Sequence, residues 1–266
     1  MDVRALFQAS AVALVLVLAG CGKPATFPAA PAQGGADASD PGYRAPPGLR
    51  GALRSADGSV SLNGQAQPSW KIRMASSAGA RAETMADGQG AWTASLGPVS
   101  EPALYRLAEE DPGGQRVEAQ GLIAILPGVP TVALLRAGDG AEVQGAAKDG
   151  LQLRAVDYDR GGGTVVSGRA RATSPVRLLV DGQPAIEGAA GPDGRFSLKL
   201  PKPLEPGAHR LQLLTPQAKV EATVPLTAPA PPADGPFRAS SAPYGWRIDW
   251  VTDGGGAQAT LIPTGN

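Results

Sequence analysis

The chain has one cysteine, Cys21, and its neighbours indicate what its thiol can do. It follows an apolar run from Ala11 to Leu18, and the small residues Ala19 and Gly20 stand immediately before it. A thiol is a strong nucleophile, and small neighbours leave it open to a modifying enzyme. No second cysteine exists to form an intrachain disulfide, so this position predicts a covalently modified side chain.

Residues 1–20 have the three parts of an export signal: Arg4 near the start, a short apolar core and small residues at the end. The core is shorter than the roughly 20 residues of a permanent transmembrane helix. Leu18-Ala19-Gly20-Cys21 resembles the lipobox of bacterial lipoproteins. This resemblance implies cleavage before Cys21, transfer of a diacylglyceryl group to its thiol and acylation of the new amino group.

The anchor predicted at Cys21 would place the chain in the cell envelope, held by lipid and facing the periplasm. Gly22 stands where an aspartate would favour retention in the inner membrane, so the outer membrane is the expected site. The alternative is a soluble secreted protein with an incidental cysteine near an ordinary cleavage site. The following residues 21–47 are rich in proline, alanine and glycine, which predicts a disordered tether.

Composition predicts an all-β protein. Lysine plus arginine number 24 and aspartate plus glutamate also 24, so no net charge attracts the chain to nucleic acid. There are 36 glycines and 26 prolines, and aromatic residues make up only 5%. With so many turn residues and no long helical periodicity, we expect short strands and almost no helix after residue 20.

A diverged internal repeat begins near residue 48. Gly64-Gln-Ala66 matches Gly168-Arg-Ala170, and Trp92 falls on Phe196 at the same offset. Apolar and polar residues alternate around these positions, as in strands with one buried face. Asp-Gly turns separate the runs. The repeat predicts two tandem Ig-like or fibronectin-like sandwiches, at 48–144 and 145–228, with Trp92 and Phe196 in equivalent cores.

Each repeat is followed by a predicted β-hairpin. Thr131–Val143 and Trp246–Ile262 both contain two apolar runs joined by an Asp-Gly turn. The second hairpin lies in 229–266, after a proline-rich linker. A lone two-stranded hairpin is barely stable in water, so each should dock on a sandwich.

The second repeat carries a further resemblance. Residues 153–170, with Val176–Gly182, Asp193–Leu200 and Leu204–Leu211, are similar to Ig-like modules of alphaproteobacterial envelope proteins, which often accompany a peptidoglycan-binding LysM domain. We find no LysM segment in this sequence. The resemblance implies a fold and a compartment, and it brings no catalytic residues.

His209 is the only histidine, and it aligns with Tyr105 of the first repeat. A general base needs a nucleophile and an orienting partner, and no Gly-x-Ser-x-Gly or Ser-x-x-Lys motif supplies one. We therefore expect a structural ring at a strand position and no catalytic residue. One histidine also cannot form a zinc cluster, so we predict no metal site and no cofactor.

Three aspartates, Asp157, Asp159 and Asp193, offer oxygen ligands of the kind that calcium binds. Acidic residues at strand ends are more often solvated turn formers. The first repeat lacks a counterpart of the Asp157-Tyr-Asp159 pair. We expect turns here, with calcium as the alternative.

Trp246 and Trp250 are the candidate binding residues. They are four residues apart, so in a strand they share a face. Such a pair can stack on a sugar or anchor a partner, and it can equally be an apolar plug that docks the hairpin.

The sequence as a whole predicts a non-enzymatic envelope lipoprotein that acts as a spacer or adaptor for an envelope protein not identified by the sequence. The alternative is a peptidoglycan- or carbohydrate-binding module that uses Trp246 and Trp250. An envelope hydrolase would need a triad that these residues do not supply.

Overall fold

The computed structural model describes residues 44–127, 131–145 and 150–263. Cys21, the predicted signal peptide and the predicted tether up to residue 43 lie outside this part of the chain. The described residues belong to one compact unit, and all their regular structure is β, as the sequence predicted. None of them forms a helix of the length and apolarity needed to cross a bilayer.

The first sandwich packs a three-stranded sheet, in the order β1-β2-β5, on a seven-stranded one, in the order β10-β9-β8-β6-β3-β4 with β7 also on β6. Its core includes Leu62, Ile72 and Trp92. The strands are β1 (Gly48–Arg54), β2 (Ser59–Gln65), β3 (Lys71–Ser76), β4 (Arg81–Met85), β5 (Ala91–Pro98), β6 (Ala103–Glu110), β7 (Arg116–Glu118), β8 (Leu122–Leu126), β9 (Thr131–Leu135) and β10 (Glu142–Val143).

The second sandwich packs a six-stranded sheet, β15-β12-β11-β20-β19-β18, on a four-stranded one, β14-β13-β16-β17. Its core includes Val166, Leu178 and Phe196. The strands are β11 (Gln152–Asp159), β12 (Thr164–Arg169), β13 (Pro175–Val180), β14 (Gln183–Ala189), β15 (Arg195–Lys199), β16 (Gly207–Leu214), β17 (Lys219–Leu226), β18 (Phe237–Ala242), β19 (Gly245–Val251) and β20 (Ala257–Pro263).

The two sandwiches share one strand topology, so β1–β7 correspond in order to β11–β17. The first strand pair of each sandwich even has its irregularity at the same place, after Leu49 in one and after Leu153 in the other. Gly64 and Gly168 face these leucines. A methyl group on either glycine would collide with a ring, Trp92 or Phe196 respectively. The repeated glycine thus leaves the room that an aromatic ring of the neighbouring strand needs to pack against this one.

The added strands after each repeat differ from simple hairpins. In the first sandwich, β10 has only two residues, and β9 pairs mainly with β8, a strand that the sequence analysis did not predict. In the second, β19 and β20 form the predicted hairpin around residues 252–256, and β18 adds a third strand. β8 extends the sheet at β6, whereas β20 extends the sheet at β11. The two additions therefore lie on sheets that are not equivalent in the repeat.

The last residues assigned to the tether contact the first sandwich. The Arg44 guanidinium lies 4.9 Å from the centre of the Trp70 ring and 3.6 Å from an Asp111 oxygen. Pro47 is buried. Arg44 and Pro47 therefore pack with the first sandwich, although they precede its predicted boundary at residue 48.

Candidate functional site

The strands β8 and β9 bury both of their faces. Ile123 and Ile125 point into the core of the first sandwich, whereas Ala124 and Leu126 belong to a separate apolar cluster. The same division holds along β9, where Leu134 faces the sandwich core and Leu135 faces the other cluster. A sheet with two buried faces needs a second layer on each side.

That second layer comes from the other sandwich. The separate cluster combines residues from β6, β8 and β9 with residues from β11, β19 and β20, and so it joins the two sandwiches. From the second sandwich it takes Ala155, Ile248, Trp250 and Ile262, all at most 2% exposed. We call this contact the junction. It is a continuous buried core, which is stronger than the loose contact expected between tandem modules.

A chain of buried hydrogen bonds crosses the second-sandwich side of the junction. The Trp250 indole Nε1 donates to Thr260 Oγ1 over 3.1 Å, and Thr260 Oγ1 donates to Asp157 Oδ1 over 2.6 Å. Gln258 Nε2 donates to the same carboxylate oxygen over 3.0 Å. Because buried polar groups are costly without partners, this network fixes the positions of the groups that it joins.

The turn between β9 and β10 closes the network from the first sandwich. The backbone amide of Ala141 donates to Asp157 Oδ2 over 2.7 Å, so the carboxylate is hydrogen-bonded to both halves of the molecule. The neighbouring Gly140, at φ +87°, lies so close to Ser167 and Ser197 that any side chain on it would collide with them. Burial raises the pKa of Asp157 to about 6, against hydrogen bonds from Thr260, Ala141 and Gln258 that lower it.

The two tryptophans singled out by the sequence do lie on one face of β19. Trp250 is 2% exposed and belongs to the junction core, and Trp246 is half-buried against it. The buried Trp250 ring is not accessible to a sugar or to a protein partner. This position is that of the apolar plug, which docks β18–β20 onto the first sandwich as well as onto the second.

His209 lies on β16, away from the junction. Its Nδ1 is 2.8 Å from Asp181 Oδ2, and its Nε2 is 2.8 Å from the carbonyl oxygen of Glu205. Burial lowers the pKa of His209, but the hydrogen bonds to these two acceptors outweigh it and leave the pKa above its ordinary value. Both ring nitrogens are engaged by acceptors and neither contacts a hydroxyl group, so the geometry is that of a structural side chain.

The three aspartates considered as calcium ligands do not come together. Asp157 lies in the junction, Asp159 accepts the amides of Gly161 and Gly163 within its own turn, and Asp193 accepts the amide of Arg195 in another. Among the described residues no group of three or more histidine, cysteine or acidic side chains is placed to hold a metal ion.

The sequence contains a second pattern, continuous apolar runs, that a search for alternating apolar and polar residues does not find. Leu122–Leu126 reads Leu-Ile-Ala-Ile-Leu, and Val132–Leu135 reads Val-Ala-Leu-Leu, without a polar residue in either run. Continuous apolar runs of this length are typical of strands that are covered on both faces. The strand β8 could have been found in this way, but the layer that covers it could not.

Comparisons with known proteins add little to this topology. No protein-family model matches the chain, and no curated protein does. Among solved structures, the central fibronectin-III array of RIM-binding protein aligns over 83% of this chain and 86% of its own, at 12% identity and a TM-score of 0.25. The BSP domain of a biofilm associated protein aligns over 69% and 30%, at 14% identity and a TM-score of 0.22. The Ig-like, fibronectin-like fold is therefore described from the strands themselves, and a fold does not specify an activity.

Proposed function

We propose that the protein is a cell-envelope lipoprotein without enzymatic activity, attached to the membrane through Cys21 and facing the periplasm. In this proposal the two sandwiches act as a rigid spacer or adaptor for an envelope protein. The observation that carries the spacer role is the junction, because a shared buried core fixes the two modules relative to each other. The anchor rests on the lipobox sequence.

Rigidity matters for a spacer because it holds a binding surface at a set distance and orientation from its anchor. Tandem modules joined only by a linker move freely, and their relative motion is the usual expectation. In this chain the junction adds apolar burial and the Asp157 network to the covalent connection. An attached partner would then be presented in one geometry, which reduces the entropy that binding costs.

The anchor is tested by mass spectrometry of the amino terminus, after expression in a bacterium that processes lipoproteins. We expect a chain that begins at Cys21 and carries a diacylglyceryl group and an acyl group. The Cys21→Ser variant should keep the leader or lack the lipid. A free, unmodified Cys21 would exclude the anchor and leave the secreted alternative.

The spacer is tested by double electron–electron resonance. In a Cys21→Ser background no cysteine remains, so the exposed pair Leu53→Cys and Thr223→Cys takes two spin labels, one on each sandwich. A rigid body gives one narrow distance distribution, whereas a broad distribution would contradict the spacer. Photo-crosslinking in intact cells tests the adaptor role, since failure to recover a reproducible protein partner would count against it.

A further inference from the structure

Four arginines line one cleft beside the junction. The cleft has a volume of about 180 Å³ and lies between the turn after β9 and the outer face of β12 and β15. Its lining includes Arg136, Arg154, Arg169, Arg195, Ser167 and Ser197. Only two acidic residues, Asp139 and Glu142, line it as well. The cleft therefore has more positive than negative charge, although the chain as a whole has no net charge.

Two of these arginines stand directly opposite each other. Arg169 of β12 is the cross-strand partner of Arg195 of β15. Like charges in this position destabilise an antiparallel pair. A third arginine adds to the crowding, because burial lowers the pKa of Arg154 and the charge of Arg169 lowers it further. The sheet thus tolerates an unfavourable arrangement on this face.

Acidic groups neutralise only some of these charges. Arg136 pairs with Glu142 and Asp139. Arg195 lies 3.4 Å from Glu142 and 3.5 Å from Asp193, and its Nη2 donates to Gln144 Oε1 over 3.2 Å. Within the described part of the chain, Arg169 has neither an ion pair nor a hydrogen bond from its side chain. Its guanidinium keeps its donors available for an acceptor from outside the protein.

A buried hydroxyl in the same cleft also lacks a partner. Ser167 is 5% exposed, and its Oγ forms no hydrogen bond. Its neighbour Ser197 differs, since its Oγ donates to the carbonyl oxygen of Asp139. Buried hydroxyls are seldom left unpaired, and one that is unpaired in a cleft calls for an explanation.

We propose that this cleft binds an oxyanion, the carboxylate or phosphate group of a small solute. Arg169 supplies the forked, charge-assisted donors that such groups prefer, the positive charge of Arg195 lies opposite it, and the hydroxyl of Ser167 supplies a further donor. A bound oxyanion relieves the repulsion between the opposed arginines and satisfies the unpaired hydroxyl. Because the turn after β9 belongs to the first sandwich and β12 and β15 to the second, the cleft that holds the ligand lies between the two. The site stands on these observations alone and does not require the envelope role.

The test is isothermal titration calorimetry on the purified full-length chain at pH 7.5, with sodium phosphate, sodium acetate and sodium chloride at matched ionic strength. We expect saturable binding of phosphate or acetate, and a thermal midpoint that rises with that ion and not with chloride. Preference for one of the two identifies the ligand group as phosphate or carboxylate. No saturable binding of either, or an equal response to chloride, would overturn the proposal.

Variants locate the site. Arg169→Gln should weaken the binding at least tenfold, and Ser167→Ala should weaken it several-fold. The control is Arg177→Gln, which removes an exposed arginine on β13 and should leave the affinity unchanged. Equal affinities in Arg169→Gln and Arg177→Gln would place the ion elsewhere and reject the cleft.

A second measurement guards against a folding defect. Because Arg169→Gln removes a like-charge contact, the unliganded variant should unfold at the same temperature as the parent protein or higher at low salt. A variant that loses oxyanion binding while keeping its stability supports the site. A variant that unfolds at a lower temperature without ligand would show that Arg169 has a structural role and would contradict the proposal.

Discussion

The hydroxyl group of Thr260 holds two buried polar groups in place. It accepts a hydrogen bond from the Trp250 indole and donates one to the Asp157 carboxylate. Neither partner has access to water, because Trp250 and Asp157 are both 2% exposed. Removing this hydroxyl would leave the indole without its acceptor and take one of three donors from the carboxylate.

We expect Thr260→Val to destabilise the protein by about 1–3 kcal/mol, since valine keeps the shape but leaves the indole without an acceptor and removes one of the three hydrogen-bond donors to the Asp157 carboxylate. Urea unfolding followed by tryptophan fluorescence measures the change. Thr93→Val, at an exposed position on β5, is the matched control and should stay within about 0.5 kcal/mol of the parent. Equal effects of the two substitutions would show that the network contributes nothing.

The contact between His209 and Asp181 makes part of the stability depend on pH. Both ring nitrogens face acceptors, so the folded chain favours the protonated ring and the folded-state pKa lies above the unfolded one. This contribution is complete below the unfolded pKa, near 6.5, and is lost as the pH rises through the folded value. The carboxylate of Asp181 stays ionised throughout, because the Arg210 amide and His209 lower its pKa.

We therefore expect the difference in unfolding free energy between the parent protein and His209→Gln to shrink between pH 6 and pH 8. Subtracting the variant removes the separate titration of Asp157, which both proteins share. Urea unfolding across this pH range provides the measurement. A difference that stays constant, or grows with pH, would refute the assignment of a protonated ring.

At the scale of strands, the alternation of apolar and polar residues predicted strands within a single sandwich. Leu62, Gly64 and Ala66 predicted a strand with one buried face, and the matched Val166, Gly168 and Ala170 predicted its counterpart β12, which the structure buries on both faces. The strand β18 was missed, since its sequence, Phe-Arg-Ala-Ser-Ser-Ala, is short of apolar residues and lies at the edge of a sheet. Such an edge strand forms because the adjacent strand, here β19, supplies its hydrogen-bond partners. The sequence of the edge strand itself does not show that this partner is present.

The strand β9 gives a direct test of two-sided burial. Leu135 is fully buried in the junction core, on the face turned away from its own sandwich. We expect Leu135→Ala to cost about 2–5 kcal/mol, the range for a leucine removed from a packed interior. Calorimetry or urea unfolding measures it, and Leu53→Ala, at a residue 71% exposed, is the control. If both variants had the same stability, the outer face of β9 would not be packed.

At the scale of the whole molecule, the sequence predicted two sandwiches but not their fusion. The repeat could be recognised because its two halves resemble each other. The junction joins residues that are distant in sequence and belong to unlike elements, such as Leu135 and Ile248. The internal repeat therefore does not predict it. The arginine-lined cleft could not be predicted for the same reason, because its lining residues come from both sandwiches.

A shared core predicts shared unfolding. We expect one thermal transition for the chain, with equal calorimetric and van 't Hoff enthalpies. Residues 150–266 expressed alone should bind the dye ANS, because separation exposes Ile248 and Trp250 to water. Two resolved transitions, or a separated half that leaves the dye unbound, would mean that the sandwiches are stable independently.

The hydrogen bonding of β6 and β16 limits how many sandwiches can join in a row through a junction of this kind. β7 covers only Ala108–Glu110 of β6, so Ala103–Tyr105 remain open to β8, whereas β17 pairs with β16 along its whole length. A contact between unlike faces grows into an open-ended filament when every unit carries both faces. In the second sandwich the corresponding edge of β16 is covered by β17, so a strand equivalent to β8 has no place to pair there. A third sandwich added by tandem duplication would therefore not dock through the contact that joins the first two.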